Sequence, residues 1–74
     1  MSPFNRELHP GEEALLRFFA YDHLPEHLQR VSGLFATTAA HIVNSAPASA
    51  ETTAALRKLL EAKDCAVRAA LPAA

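Results

Sequence analysis

The chain has 74 residues, 7 basic and 8 acidic side chains, a formal charge of −1, and hydrophobic side chains at half its positions, many of them alanine. That length holds one domain, 1–74, and the near-neutral balance excludes the basic footprint expected of a duplex nucleic-acid binder. No apolar run reaches the roughly 20 residues a membrane span requires, and a domain this short is marginal without some further tie.

Residues 1–10 read as an irregular arm with Pro3 and Pro10 as breakers, and "MSPFNRELHPG" has no apolar stretch of signal-peptide length. A short helix is predicted over 12–21, from about Glu12 to Tyr21, with Glu12 and Glu13 suited to its positive N-terminal end. Its Leu15, Leu16, Phe18, Phe19 and Tyr21 make it more apolar than a solvated helix. "YDHLPEH" marks the next boundary, where Pro25 fits an N1 position and pushes Leu24 out of the α region.

A long helix follows over 25–44, in which Leu28, Val31, Phe35, Ala39, Ile42 and Val43 recur at three- and four-residue steps. "NSAPASA" is a turn cluster, with Pro47 as stop and Ser49 as N-cap for a second long helix over 51–71. Two helices of about 20 residues joined by a short loop lie antiparallel, each about 30 Å long. The predicted class is all-α: an antiparallel helical hairpin preceded by a short helix. Cys65 is the single cysteine, so no internal disulfide can form, which fits a reducing, cytoplasmic setting. Self-association then becomes the expected stabiliser, as a homo-oligomer.

Gln29, Gly33, Ala36, Thr37 and Ala40 share the face of the first long helix turned away from its leucine stripe. A mid-helix glycine costs roughly 1 kcal/mol against alanine. The small-residue face is expected to receive either the short helix of the same chain or another subunit. On the second long helix Leu56, Leu59, Leu60, Val67, Ala70 and Leu71 fall on one arc, with Lys63 near its centre. Three readings of Lys63 stay open: its stem lies along the leucines with the ammonium in water, it pairs with a neighbour's carboxylate, or it receives an anionic ligand.

His23 and His27 are four apart, but Pro25 separates them and no further ligand set accompanies them, so a metal site is not expected. Scattered histidines and one helical cysteine define no nucleophile, and no enzyme activity or cofactor is implied. Cys65 lies opposite the leucine arc and reads as a small packing residue. Arg57–Glu61 and Asp64–Arg68 have i,i+4 spacing and read as a solvated face laced with weak ion pairs. The functional counterpart turns Arg57 or Arg68 toward a phosphate at a subunit junction.

At "ALRKLLEAKDCAVRAA", after a long helix and a short polar loop, the sequence resembles the small phage anti-CBASS and anti-Thoeris hairpin proteins, the cyclic-nucleotide "sponges". The resemblance rests on Ala55, Leu56, Lys58, Leu59, Glu61, Ala62 and Ala66, and in layout extends over about Tyr21 to Ala70. It implies hairpins assembled into compact oligomers, commonly hexamers, in a host cytoplasm. They hold a cyclic di- or trinucleotide or a cyclic ADP-ribose-type signal between subunits without cleaving it. A tyrosine before the first long helix stacks on a base, a role that matches Tyr21 in placement, and Thr37 or Thr38 matches a phosphate-binding threonine. The helix lysine usually found near that threonine has no counterpart in "GLFATTAA". Arg30, Arg57, Lys58, Lys63 and Arg68 would then supply the positive charge. The alternative reading is a helical adaptor or scaffold that binds a protein partner and no small molecule.

Overall fold

The computed structural model describes residues 3–72, and the regular elements among them are all helices, with no strand. The short helix α1 spans Pro10–Leu16 and tightens into a 3₁₀ turn over Arg17–Phe19. The long helices are α2, Glu26–Ser45, and α3, Ala50–Ala70. Four residues separate them, and the two helices pack against each other to form the body of the molecule. None of these helices is long and apolar enough to cross a membrane.

The short helix begins at Pro10 rather than Glu12 because His9 caps it. The His9 Nδ1 accepts from the Gly11 N–H at 3.0 Å, and Glu12 Oε1 accepts from the His9 N–H at 2.9 Å. This is capping-box geometry with histidine in the place usually held by serine or threonine, and with proline at N1. The regular helix ends at Leu16, and Ala20 turns extended, leaving Tyr21 outside any helix. Pro25 is the N-cap of α2 rather than its first residue, and its carbonyl accepts from Leu28 and Gln29, each at 2.9 Å. Ser49 caps α3 through Oγ, which accepts from the Thr52 N–H at 3.1 Å.

The arm has no helix, but it is fastened down. Arg6 lies between the N-terminus of α1 and the C-terminus of α2. Its Nη1 and Nη2 donate to the two oxygens of Glu12 at 2.9 and 2.7 Å, and its Nε donates to the Val43 and Ala46 carbonyls, both at 3.1 Å. The last carbonyls of an α-helix have no partner within it, and here an arginine from outside supplies one. Asn5 and Asn44 add a second tie: the Asn5 N–H donates to Asn44 Oδ1 at 2.9 Å, and Asn44 Nδ2 to the Pro3 carbonyl at 3.0 Å. Glu12 is fully buried.

Phe19, Leu28, Ala39, Val43 and Leu56 are the buried hydrophobic residues among those described. Phe4, Leu8, Leu15, Leu16, Phe35, Ile42, Leu59 and Leu60 pack around this core half-buried. Leu71, expected on the arc, lies past the end of α3 and is exposed. Cys65 is exposed rather than packed, and accepts from Arg68 Nη2 at 3.4 Å. Neither i,i+4 pair expected on α3 closes among the described residues. Arg68 turns to Cys65, and Asp64 lies 3.9 Å from Lys63. An exposed pair gains too little to hold two long side chains together.

The hydrogen bonds from Arg6 hold the Glu12 carboxyl below its ordinary value of 4.5, outweighing the opposite effect of burial. A carboxylate with a depressed folded pKa contributes stability that is fully present above its unfolded pKa and lost as pH falls through the folded value. The thermal midpoint should therefore fall on acidification below about pH 4.5. Glu12→Gln should lower the midpoint at neutral pH and flatten that acid limb. Parallel acid limbs in the two proteins, followed by circular dichroism, would contradict the assignment.

Candidate functional site

Tyr21 stands at the head of a turn closed by the Leu24 N–H donating to the Tyr21 carbonyl at 3.0 Å. Gln29, one turn into α2, holds that loop: its Nε2 donates to the carbonyls of Leu24 at 2.8 Å and Asp22 at 3.3 Å. The ring of Tyr21 lies over Gly33. A methyl placed there would be 3.4 Å from the nearest ring carbon. The residue against the mid-helix glycine is thus a tyrosine of the loop before α2, not a helix of the same chain. That spacing is ordinary van der Waals contact, so packing within the chain does not itself demand glycine.

Beside this ring runs an open groove of about 500 Å³. Phe4, Leu16, Phe19 and Tyr21 give it aromatic and apolar walls, and the α2 residues Ala36, Ala39 and Ala40 give it a floor of small side chains. Arg17, Asp22, Thr37, His41 and Asn44 line it with polar groups. Of the small-residue face read from the sequence, Ala36, Thr37 and Ala40 line this groove, whereas Gln29 and Gly33 do not. Thr37 Oγ1 donates back to the Gly33 carbonyl at 3.1 Å, so its oxygen keeps lone pairs for a further donor. Thr38 bonds in the same way to Leu34 at 2.9 Å and does not line the groove.

A second, smaller cavity of about 350 Å³ lies where the 3₁₀ turn meets α2 and α3. Its lining includes Arg17, His23, Ser32, Lys63, Asp64 and Arg68. The Lys63 ammonium donates to the Phe18 carbonyl at 2.7 Å, and the side chain keeps only 13% of its exposure. It resembles the first of the three readings only in that the side chain is largely covered. The ammonium, however, finds a backbone carbonyl at the end of the 3₁₀ turn rather than open water.

The candidate residues thus fall into separate places. Tyr21 and Thr37 share the groove, whereas Lys63 and Arg68 line the cavity. Arg30 is exposed on α2 and lies 3.6 Å from Glu26. Arg57 and Lys58 are exposed on α3 and line neither space. Two residues at these sites were missed in the sequence. Arg17 lines both spaces, and nothing in its spacing marks it out. Ser32 is fully buried on the α2 core face with no hydrogen-bond partner for its Oγ. Its one signal is a hydroxyl one turn after Leu28 on the apolar stripe. Among the described residues no group of three or more His, Cys, Asp or Glu side chains is placed to hold a metal ion.

Comparison with family models, with curated proteins and with solved structures gives no match to this chain.

Since the tyrosine ring leaves room for a methyl, Gly33→Ala should stabilise the protein by about 0.5–1 kcal/mol through helix propensity. A higher urea midpoint at unchanged slope is the expected readout. A lower midpoint would mean that the ring must approach the α2 backbone more closely than it does here.

Proposed function

We propose that this chain is a non-enzymatic sequestering protein of the phage anti-CBASS and anti-Thoeris hairpin type. It holds a cyclic di- or trinucleotide, or a cyclic ADP-ribose-type signal, without cleaving it. It acts as an antiparallel helical hairpin assembled into a homo-oligomer, with a hexamer favoured, in the host cytoplasm. The observation that carries this reading is the groove beside Tyr21. It offers an aromatic ring at one wall, a floor of alanines shallow enough for a flat base, and Thr37, Arg17 and His41 as polar groups. A base stacked on an aromatic side chain contributes about 1–3 kcal/mol whatever its identity.

Two features support the oligomer. Leu34 is 68% exposed on α2 and Phe18 is 57% exposed on the 3₁₀ turn, while the buried hydrophobic core is small. Within one chain the groove balances Arg17 against Asp22 and so has little net charge to offer a nucleotide. Arg30, Arg57 and Lys58, exposed on the outer faces of α2 and α3, are the groups a neighbouring subunit would bring to it. Such charge-assisted bonds to phosphate are stronger than neutral ones.

Titration calorimetry against cyclic dinucleotides, cyclic trinucleotides and cyclic ADP-ribose isomers tests this reading. At least one should bind and be recovered intact by chromatography. Tyr21→Ala should weaken it by roughly 5- to 150-fold, the equivalent of one stacked base. Silence across the panel, or a Tyr21→Ala variant that binds as well as the wild type, would overturn the assignment.

A further inference from the structure

The smaller cavity shares Arg17 with the groove but has a different character. Its lining carries the charged side chains of Arg17, Lys63 and Arg68 against one carboxylate, Asp64, an excess of two positive charges. Much of the donor capacity of these groups is unused. The Lys63 ammonium has three N–H bonds, one of which goes to the Phe18 carbonyl. Arg68 spends one of its five on the weak acceptor sulfur of Cys65. Arg17 forms no side-chain hydrogen bond or ion pair among the described residues.

Ser32 is the second, independent observation. Its Oγ is buried and has no hydrogen-bond partner, and the residue lines this cavity. A hydroxyl taken from water without a partner is destabilising, and an alanine or valine at that position would avoid the cost. An oxyanion in the cavity gives the hydroxyl an acceptor and the cations a counter-charge together.

The donors come from three elements: Arg17 from the 3₁₀ turn, Ser32 from α2, and Lys63 and Arg68 from α3. A planar carboxylate is satisfied by one guanidinium fork. Donors arriving from three directions suit a tetrahedral oxyanion with several acceptor oxygens. We propose that this cavity is an intrachain binding site for a phosphate dianion, either free inorganic phosphate or the terminal phosphate of a monoester. The site does not depend on the nucleotide-sequestering reading: Tyr21 and Thr37 are not part of it, and a cyclic phosphodiester has no terminal dianion to offer.

Amide chemical shifts of the full chain, titrated with sodium phosphate against sodium chloride at matched ionic strength, test the proposal. Saturable shifts at Ser32, Lys63 and their neighbours are expected with phosphate and not with chloride. Arg68→Gln, a change at an exposed position that leaves the core untouched, should weaken binding by roughly ten- to a hundredfold. Ser32→Ala should weaken it in the same direction, and Tyr21→Ala should leave it unchanged. A parallel titration with adenosine monophosphate distinguishes the sources. Equal affinity identifies the free ion as sufficient, and tighter binding identifies a monoester. Shifts that follow ionic strength alone, or phosphate binding indifferent to both Arg68→Gln and Ser32→Ala, would overturn the proposal.

Discussion

One guanidinium group ties the N-terminal arm and the start of α1 to the end of α2. Arg6 grips both oxygens of the buried Glu12 and at the same time supplies partners for the Val43 and Ala46 carbonyls at the end of α2. A single cation thus joins the start of one helix to the end of another, at charges that the helix dipoles themselves favour. The pair is buried on the Glu12 side, so each partner left alone would face a desolvation penalty larger than the net gain from pairing. That asymmetry makes the contact specific. Arg6 favours the docked position in which it reaches both ends, and the Asn5–Asn44 bonds and the packing of Phe4, Leu8 and Phe19 act with it.

Everything proposed about function sits on what that docking places. Phe4, Leu16 and Phe19 become one wall of the groove, and the chain leaves the 3₁₀ turn in position to set Tyr21 over Gly33. At the far end Lys63 holds the Phe18 carbonyl, and Gln29 holds the carbonyls of Asp22 and Leu24. The turn is therefore fixed from α2 on one side and from α3 on the other. It forms a partition with an aromatic groove on one face and a cationic cavity on the other, and Arg17 lines both.

The long helices were legible in the sequence because their information is local. Three- and four-residue steps, the prolines at 25, 47 and 72, and the Ser49 cap act within a turn or two of where they stand. The arm was not, because Arg6 and Val43 are far apart in sequence and no periodicity links an irregular segment to a helix end. One clue was present in "HPGE", which has capping-box spacing with proline at N1 but histidine where serine or threonine is usual. Lys63 was recognised as out of place on its arc, yet its partner, a backbone carbonyl, has no signature in a sequence. Ser32 could have been noticed as a hydroxyl on the apolar stripe. Tyr21 was read as the last residue of the short helix but lies in the loop before α2, and the lining shared by Arg17 follows from how the 3₁₀ turn packs.

Amide hydrogen exchange on the Arg6→Met variant tests the central claim most directly, because exchange reports local opening segment by segment. If the guanidinium fastens the N-terminal segment, the amides of Asn5, Gly11, Glu12 and Glu13 should lose protection together. Those along the contact between α2 and α3 should keep theirs. Unchanged protection in α1, or an equal loss along both long helices, would contradict the account.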